Sequence, residues 1–401
     1  MDLGPSPTDA SLRPRVLVDG HLLGRGETGN ERYLRGLLDG FRRIGMTVDL
    51  AVEQAADVPA GHHAVALSGR SDVARLGWRL GRLASSRGAD VVHSTYFPPL
   101  QTRAARVVTV HDVSFATHPQ WFTPRDRAVL RLALATTARR AARVIVPSRH
   151  AQDALAEAAP RLQQRTVVVS EGVDPLFSAG ATAGEAAVDD GDEQRVTQAD
   201  GSGARGDVEV LRRLGIVKPY VLFVGNLQPR KNLGTLLEAW ARLRAAGEHD
   251  ELRLVLAGGT HGRRENVAER IRRHALADSV VLTGYVDDAD LPPLYRGARL
   301  FVFPSLCEGF GLPVLEAMAC GTPVACSSTT ALPEVAGSAA ALFDPTDADE
   351  MAAVIGATAS DPDLRAALRE RGLARARAFS WHDAARATLD VYREALEEVA
   401  S

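Results

Sequence analysis

Twice along this 401-residue chain, short runs of aliphatic and β-branched residues alternate with stretches whose apolar residues recur at helical spacing. In the first half, Arg15–Asp19, Val48–Val52, Val91–His93, Val107–His111, Val144–Pro147 and Val167–Val169 are expected to be strands. Asn30–Arg43, Asp126–Ala141 and Ala151–Ala158 are expected to be helices between them. The second half repeats the pattern, with strands expected at Tyr220–Gly225, Arg253–Ala257, Val280–Thr283, Leu300–Pro304 and Pro323–Ala325. Leu233–Ala246 and Pro313–Ala319 are expected to be helical. Strands that alternate with helices pair in parallel, because the crossover helix must return the chain to the same end of the sheet. The expected fold class is α/β, with two Rossmann-like, doubly wound parallel sheets and ligands at the carboxyl ends of their strands. Between the halves, residues 178–207 are rich in Ala, Gly, Asp and Ser and poor in large apolar residues, so a flexible acidic insertion is expected there.

Composition narrows the class further. With 45% hydrophobic and 24% charged residues the chain is that of a globular protein. No apolar run reaches the roughly 18 residues of a spanning helix, and the first 15 residues lack the basic start and apolar core of a secretory leader. The three cysteines, Cys307, Cys320 and Cys326, form no Cys-x-x-Cys pair and suit free thiols, so a cytoplasmic location is expected. Charge is unevenly spread: residues 1–175 carry 23 arginines against 17 acidic residues, a net +6, whereas the whole chain is −3. Arg70, Arg75, Arg79, Arg82 and Arg87 around Trp78, and the stretch from Arg125 to Arg143, have helical spacing. A solvated helix surface is one reading of them; peripheral contact with the anionic inner face of the cell membrane is the other. Nothing interleaves aromatics with the basic residues or spaces zinc ligands, so nucleic acid is not an expected partner.

Three motifs carry chemistry. Gly24-Arg-Gly26-Glu-Thr-Gly29 matches a dinucleotide fingerprint, with Asp49 about 20 residues on. His21, Leu22 and Leu23, however, separate its first glycine from the strand end, which favours a loop facing a phosphate or sugar over NAD. Gly29 and Asn30, just before the expected helix, would turn free N–H groups toward that ligand. Arg230 and Lys231 follow a buried strand; they suit a diphosphate, Arg as a bidentate fork and Lys as a point charge. Lysine is scarce here, Lys218 and Lys231 standing against 45 arginines. Glu308 and Glu316 flank a glycine-containing loop ending in Pro313, a residue suited to a helix start. That helix end would aim N–H groups at a phosphate, with Glu316 placed for the vicinal hydroxyls of a ribose and Glu308 for sugar hydroxyls. Asp287-Asp288-Ala289-Asp290 is expected to cap a helix rather than hold a metal.

These residues carry a resemblance. Glu308 to Glu316, with EGFGLP within, resembles the E-x7-E motif of retaining glycosyltransferases of the GT-B fold, family 4 (group 1) type. VLFVGNLQPRKN (221–232), residues 280–305, AMACGTPVACS (317–327) and residues 332–345 resemble the same family, while HDVSF (111–115), VPSRHAQDAL (146–155) and SEGVDPLF (170–177) resemble its mannosyltransferase branch. The resemblance spans nearly all of residues 15–395. It implies an N-terminal acceptor domain (1–177), onto which 380–401 with Trp381 packs back, and a C-terminal nucleotide-sugar donor domain (208–379), with an interdomain cleft. It also implies roles. Arg230 and Lys231 would hold the donor diphosphate with the backbone of Gly309, Phe310, Gly311 and Leu312, and Glu316 would bind the ribose. Gly284, Tyr285 and Val286 would face the base, and Gly29 would cap the diphosphate. His111 and Glu308 would serve catalysis, and Asn30 and Tyr96 would lie on the acceptor side. The expected reaction moves a hexose, mannose first, from a nucleotide-sugar, GDP-mannose first, to a glycan, glycolipid or small-molecule acceptor, with retention and without metal or cofactor. A GT-B sugar-nucleotide epimerase, a phosphorylase and a non-catalytic nucleotide-sugar sensor are the alternatives.

Overall fold

A computed structural model describes residues 13–24, 28–67, 78–180, 202–247, 249–259 and 266–400. They form two compact units, one comprising residues up to 172 together with 379 onward, the other residues 173–378.

The first unit is built on seven strands: β1 (Val16–Asp19), β2 (Asp49–Val52), β3 (His63–Ala66), β4 (Val91–Thr95), β5 (Ala105–Thr109), β6 (Arg143–Val146) and β7 (Thr166–Val168). All neighbours pair in parallel, in the order β3-β2-β1-β4-β5-β6-β7. The central strands are sealed on both faces: Leu17, Leu50, Val92, Val107, Val108 and Val144 are inaccessible to solvent, as expected where helices cover a parallel sheet. The helices of eight or more residues ahead of the C-terminal one are α1 (Thr28–Arg43), α2 (Leu80–Arg87), α3 (Pro124–Arg140) and α4 (Arg149–Ala158). Thr123 and Ser148 start α3 and α4 by accepting backbone N–H bonds from Asp126 and Ala151, and Pro124 occupies the first turn of α3.

The second unit contains α5 (Ser202–Arg213), β8 (Tyr220–Val224), α6 (Leu233–Ala245), β9 (Arg253–Ala257), α7 (Val267–Arg273), β10 (Val280–Gly284), α8 (Leu291–Gly297) and β11 (Leu300–Phe303). It continues with α9 (Leu312–Ala319), β12 (Val324–Ser327), β13 (Ala340–Phe343), α10 (Ala348–Ser360) and α11 (Pro362–Ala376). Its sheet is also all-parallel, ordered β10-β9-β8-β11-β12-β13. Between β8 and β11 the winding reverses direction, so the loops leaving these two strands diverge. Such a switch point opens a crevice at the carboxyl end of the sheet.

The last helix, α12 (Trp381–Ala400), belongs to the first unit. It lies along α1 at van der Waals range. A Cβ on Gly36 would sit 2.0 Å from the Trp381 ring, and one on Gly40 2.1 Å from the Trp381 carbonyl oxygen. Only side-chain-free positions on α1 admit so close a helix. Tyr392 of α12 reaches into the first sheet, its hydroxyl 2.7 Å from His93 Nδ1.

Several expectations are corrected. Part of the acidic insertion, 181–201, lies outside the described residues, as do Arg70 and Arg75. Residues 202–207, however, open helix α5: Asp207 forms a bidentate pair with Arg296 of α8, and Leu211 is buried, which anchors the segment. Strands β3 and β13 are additions to the expected set. Gly29 and Asn30 stand inside the first turn of α1 rather than before it. Neither Asp287 nor Asp290 makes a side-chain capping bond, and Asp290 instead pairs with Arg213 at 2.5 Å. No helix among the described residues is long and apolar enough to cross a membrane.

Candidate functional site

Two loops meet at the switch point of the second sheet. The first leaves β8 at Gly225 and makes one tight turn at Pro229–Lys231 before α6. The second leaves β11 at Pro304 and enters α9 with Pro313 in its first turn. Adjacent strands hold the loops together: the Leu306 N–H donates to the Arg230 carbonyl at 2.8 Å. Asn232 ties them further. In the left-handed region (φ +60°), it donates from Nδ2 to the carbonyls of Pro304 (3.1 Å) and Pro345 (2.6 Å), and its Oδ1 accepts from Thr235. Gly311, at φ +125°, also has no space for a side chain, because a Cβ would lie 2.7 Å from Leu332.

Within this frame the sequence-predicted residues converge. Lys231 Nζ donates to Glu308 Oε1 at 2.6 Å, and Arg230 Nη1 to Glu308 Oε2 at 2.9 Å. Lys231 is 6% exposed and its ammonium stands 4.6 Å from the centroid of the Phe303 ring, a cation–π contact. Burial raises the Glu308 pKa, but the Arg230 and Lys231 charges outweigh it and pull the carboxyl down to about 2. The Glu308 N–H donates to Thr330 Oγ1 at 3.1 Å. Residues 307–312 are all buried. One turn into α9, Glu316 is covered, and Oε2 accepts from the Tyr295 hydroxyl at 2.9 Å, which fixes the carboxylate. Around Glu308 the cluster therefore holds two cations against one carboxylate at the amino end of a helix, with the Glu316 carboxylate one turn farther in, an arrangement suited to a polyvalent anion.

Gly284, Tyr285 and Val286 lie at the carboxyl end of β10, an edge strand, separated from β8 by β9. Tyr285 is half exposed and Gly284 has open space around it, whereas Val286 is buried.

In the first unit, His111 lies two residues past β5, 9% exposed. Its ring meets the edge of Tyr33, from α1, at 4.6 Å between centroids, and Tyr96 lies 6.1 Å away. Tyr96 adopts φ +62°, a conformation rare for an aromatic residue, held by its N–H to the Thr109 carbonyl and by Thr137 Oγ1 donating to its own carbonyl. Behind this pair runs a buried chain: Tyr33 Oη to Thr109 Oγ1 (2.9 Å), Thr109 Oγ1 to His93 Nε2 (2.7 Å), and His93 Nδ1 to Tyr392 Oη (2.7 Å). Burial, with His111 adding, pushes the His93 pKa down to about 3, so the ring is neutral. Gly29 is exposed and Asn30 half-buried, one turn before Tyr33 on α1.

The dinucleotide alternative loses its acidic partner. Asp49 is the first residue of β2, at the amino end of the sheet, and pairs with Arg87 at 2.9 Å. Ligands of such a sheet bind at the opposite end. Gly24 of the fingerprint is engaged locally, its N–H donating to Glu31 Oε1 at 2.9 Å; Gly26 lies outside the described residues. Sequence reasoning missed Asn232, Phe303, Tyr295 and Thr330. Only Asn232, contiguous with Arg230 and Lys231, left a local signal.

Residues 213–375 match the family model described as glycosyl transferases group 1, and residues 28–176 the one described as Glycosyltransferase Family 4. The chain is 41% identical over 174 residues to the O-antigen chain mannosyltransferase B of Escherichia coli, covering 43% of this chain and 45% of that protein. It is 38% identical over 199 residues to the D-inositol 3-phosphate glycosyltransferase of Acidothermus cellulolyticus, covering 47% and 44%. Each alignment thus spans less than half of the curated relative. Among solved structures, a sucrose-phosphate synthase from Thermosynechococcus elongatus superposes with a TM-score of 0.70 at 22% identity, over 95% of this chain and 98% of that one. The two parallel-sheet units are those of the GT-B fold, and the chain belongs to the group 1, family 4 glycosyltransferases.

Proposed function

We propose that this protein transfers mannose from GDP-mannose to a glycan, glycolipid or small-molecule acceptor, with retention of configuration and without a metal ion. The observation that carries the reading is the convergence of Arg230, Lys231, Glu308 and the amino end of α9 at the switch point of the second sheet. Expulsion of a nucleoside diphosphate from an oxocarbenium-like centre develops negative charge on the leaving group, and fixed positive charge there lowers the barrier. Arg230 and Lys231 supply that charge. Phe310, Gly311 and Leu312 add backbone dipoles at the start of α9, and Glu316, oriented by Tyr295, receives the ribose. Gly284, Tyr285 and Val286 form the side toward the base. Glu308 spans both cations and reaches the sugar hydroxyls, while Gly29, Asn30, His111 and Tyr96 of the first unit serve the transfer and the acceptor. Support for mannose comes from the likeness to the E. coli O-antigen mannosyltransferase. The likeness to a D-inositol 3-phosphate glycosyltransferase widens the acceptor class to phosphorylated polyols.

A panel of GDP-mannose, UDP-glucose, UDP-GlcNAc, ADP-glucose and NAD, each with and without EDTA, tests the reading by thermal shift and donor turnover. A ligand at a hundredfold excess over Kd stabilises by about 2.7 kcal/mol. GDP-mannose should give such a shift, indifferent to EDTA, and Lys231→Ala or Glu316→Ala should lose turnover by orders of magnitude while still folding. A shift with NAD alone, or wild-type turnover in both variants, would overturn it.

A further inference from the structure

We infer that Glu171 is a positioning residue for His111, fixing the imidazole so that Nδ1 carries a proton and Nε2 faces the reacting groups; this rests on the role proposed for His111. Three observations carry it. First, Glu171 Oε1 stands 3.1 Å from His111 Nδ1, and this is the one hydrogen-bond partner of the Glu171 side chain among the described residues. An ionised carboxylate only accepts, so the proton of that bond belongs to Nδ1.

Second, Glu171 is 4% exposed. Burying a carboxylate whose one partner is an imidazole costs stability, and no Lys or Arg shares it among the described residues. Its backbone is held as well: Gly172, the next residue, packs so closely on the start of α12 that a Cβ there would sit 2.3 Å from the Trp381 nitrogen. Third, the other ring nitrogen, His111 Nε2, is buried and has no hydrogen-bond partner among the described residues. Buried polar atoms are nearly always satisfied, and the exceptions call for a reason. With Tyr33 against the ring and Glu171 at Nδ1, Nε2 is the ring nitrogen left to hydrogen-bond a ligand hydroxyl or phosphate oxygen.

The test combines a spectroscopic readout with a mutational cycle. In 15N-histidine-labelled full-length protein, the His111 ring should show the Nδ1–H form. Glu171→Gln, whose amide oxygen still accepts the bond, should keep that form, and Glu171→Ala should lose it. With GDP-mannose as donor, Glu171→Ala should lower kcat about ten- to hundredfold with little change in KM, as expected when a reacting group is misplaced, and Glu171→Gln should recover most of it. In a His111→Ala background the same Glu171→Ala change should have no further effect on kcat. An unchanged ring tautomer in Glu171→Ala, or an equal loss in both backgrounds, would overturn the inference. Wild-type turnover in His111→Ala would instead overturn the role of His111, and the tautomer measurement would still decide the Glu171 contact.

Discussion

Replacing Glu308 by glutamine keeps the shape of the side chain and removes the carboxylate that touches both Lys231 and Arg230. In the folded protein this carboxyl is held at about 2, against an ordinary value of 4.5. Each tenfold change in proton affinity is worth about 1.4 kcal/mol, so that difference corresponds to about 3 kcal/mol of stability. Breaking a buried ion pair on one side costs about 3–5 kcal/mol by general experience, because the surviving charge stays buried. Lys231 meets that condition; Arg230, with 27% of its side chain exposed, contributes less. Ligand-free Glu308→Gln should therefore be about 3 kcal/mol less stable. For a unit of about 200 residues that means a melting temperature lower by roughly 6–12 °C.

The sign with pH follows from the same depressed pKa. A carboxyl whose folded pKa is lowered contributes fully above its unfolded value and loses the contribution as pH falls toward the folded one. The gap between wild type and variant should be full at pH 7 and shrink below about 4.5. Addition of GDP should narrow the gap at pH 7, since its diphosphate supplies the anion the variant lacks. Calorimetry or dye-monitored unfolding with and without GDP reads both effects. Equal stability of the two ligand-free proteins, or a GDP shift abolished in the variant, would refute the reasoning.

Two further perturbations address the first unit. His93, whose pKa burial pushes down to about 3, stays neutral when folded but protonates near 6.5 when unfolded, so protein stability should fall by about 2 kcal/mol between pH 6.5 and 5. His93→Gln should flatten that slope in a melting-temperature series, and an unchanged slope would count against the assignment. Gly40→Ala places a methyl 2.1 Å from the Trp381 carbonyl oxygen and should cost about 1–3 kcal/mol by forcing α12 away from α1; Gly29→Ala, with open space around it, is the neutral comparison.

Much of the architecture was legible because its signal is local. The aliphatic runs of β8, β9 and β11 are buried on both faces and announce themselves by composition alone. Strands β3 (HAVA) and β13 (AALF) did not: both lie at sheet edges, are partly exposed, and owe their extended state to pairing with β2 and β12. Helix α5 escaped notice for a related reason, since its neighbourhood is dominated by small and acidic residues and its order comes from Leu211 and the Asp207–Arg296 pair.

The sequence alone determined that two parallel sheets would form, and that cations after one strand and glutamates after another would stand at the carboxyl ends of those strands. Periodicity and strand-to-helix turns are read within a dozen residues. Tertiary structure decided which charges meet. Lys231 reaches Glu308 across 77 positions from the neighbouring strands β8 and β11, and His111 reaches Glu171 across 60 from β5 and β7, with β6 between them. Hydrogen bonds need atoms within about 3 Å, and no spacing along a chain specifies such distances between segments that winding alone brings together.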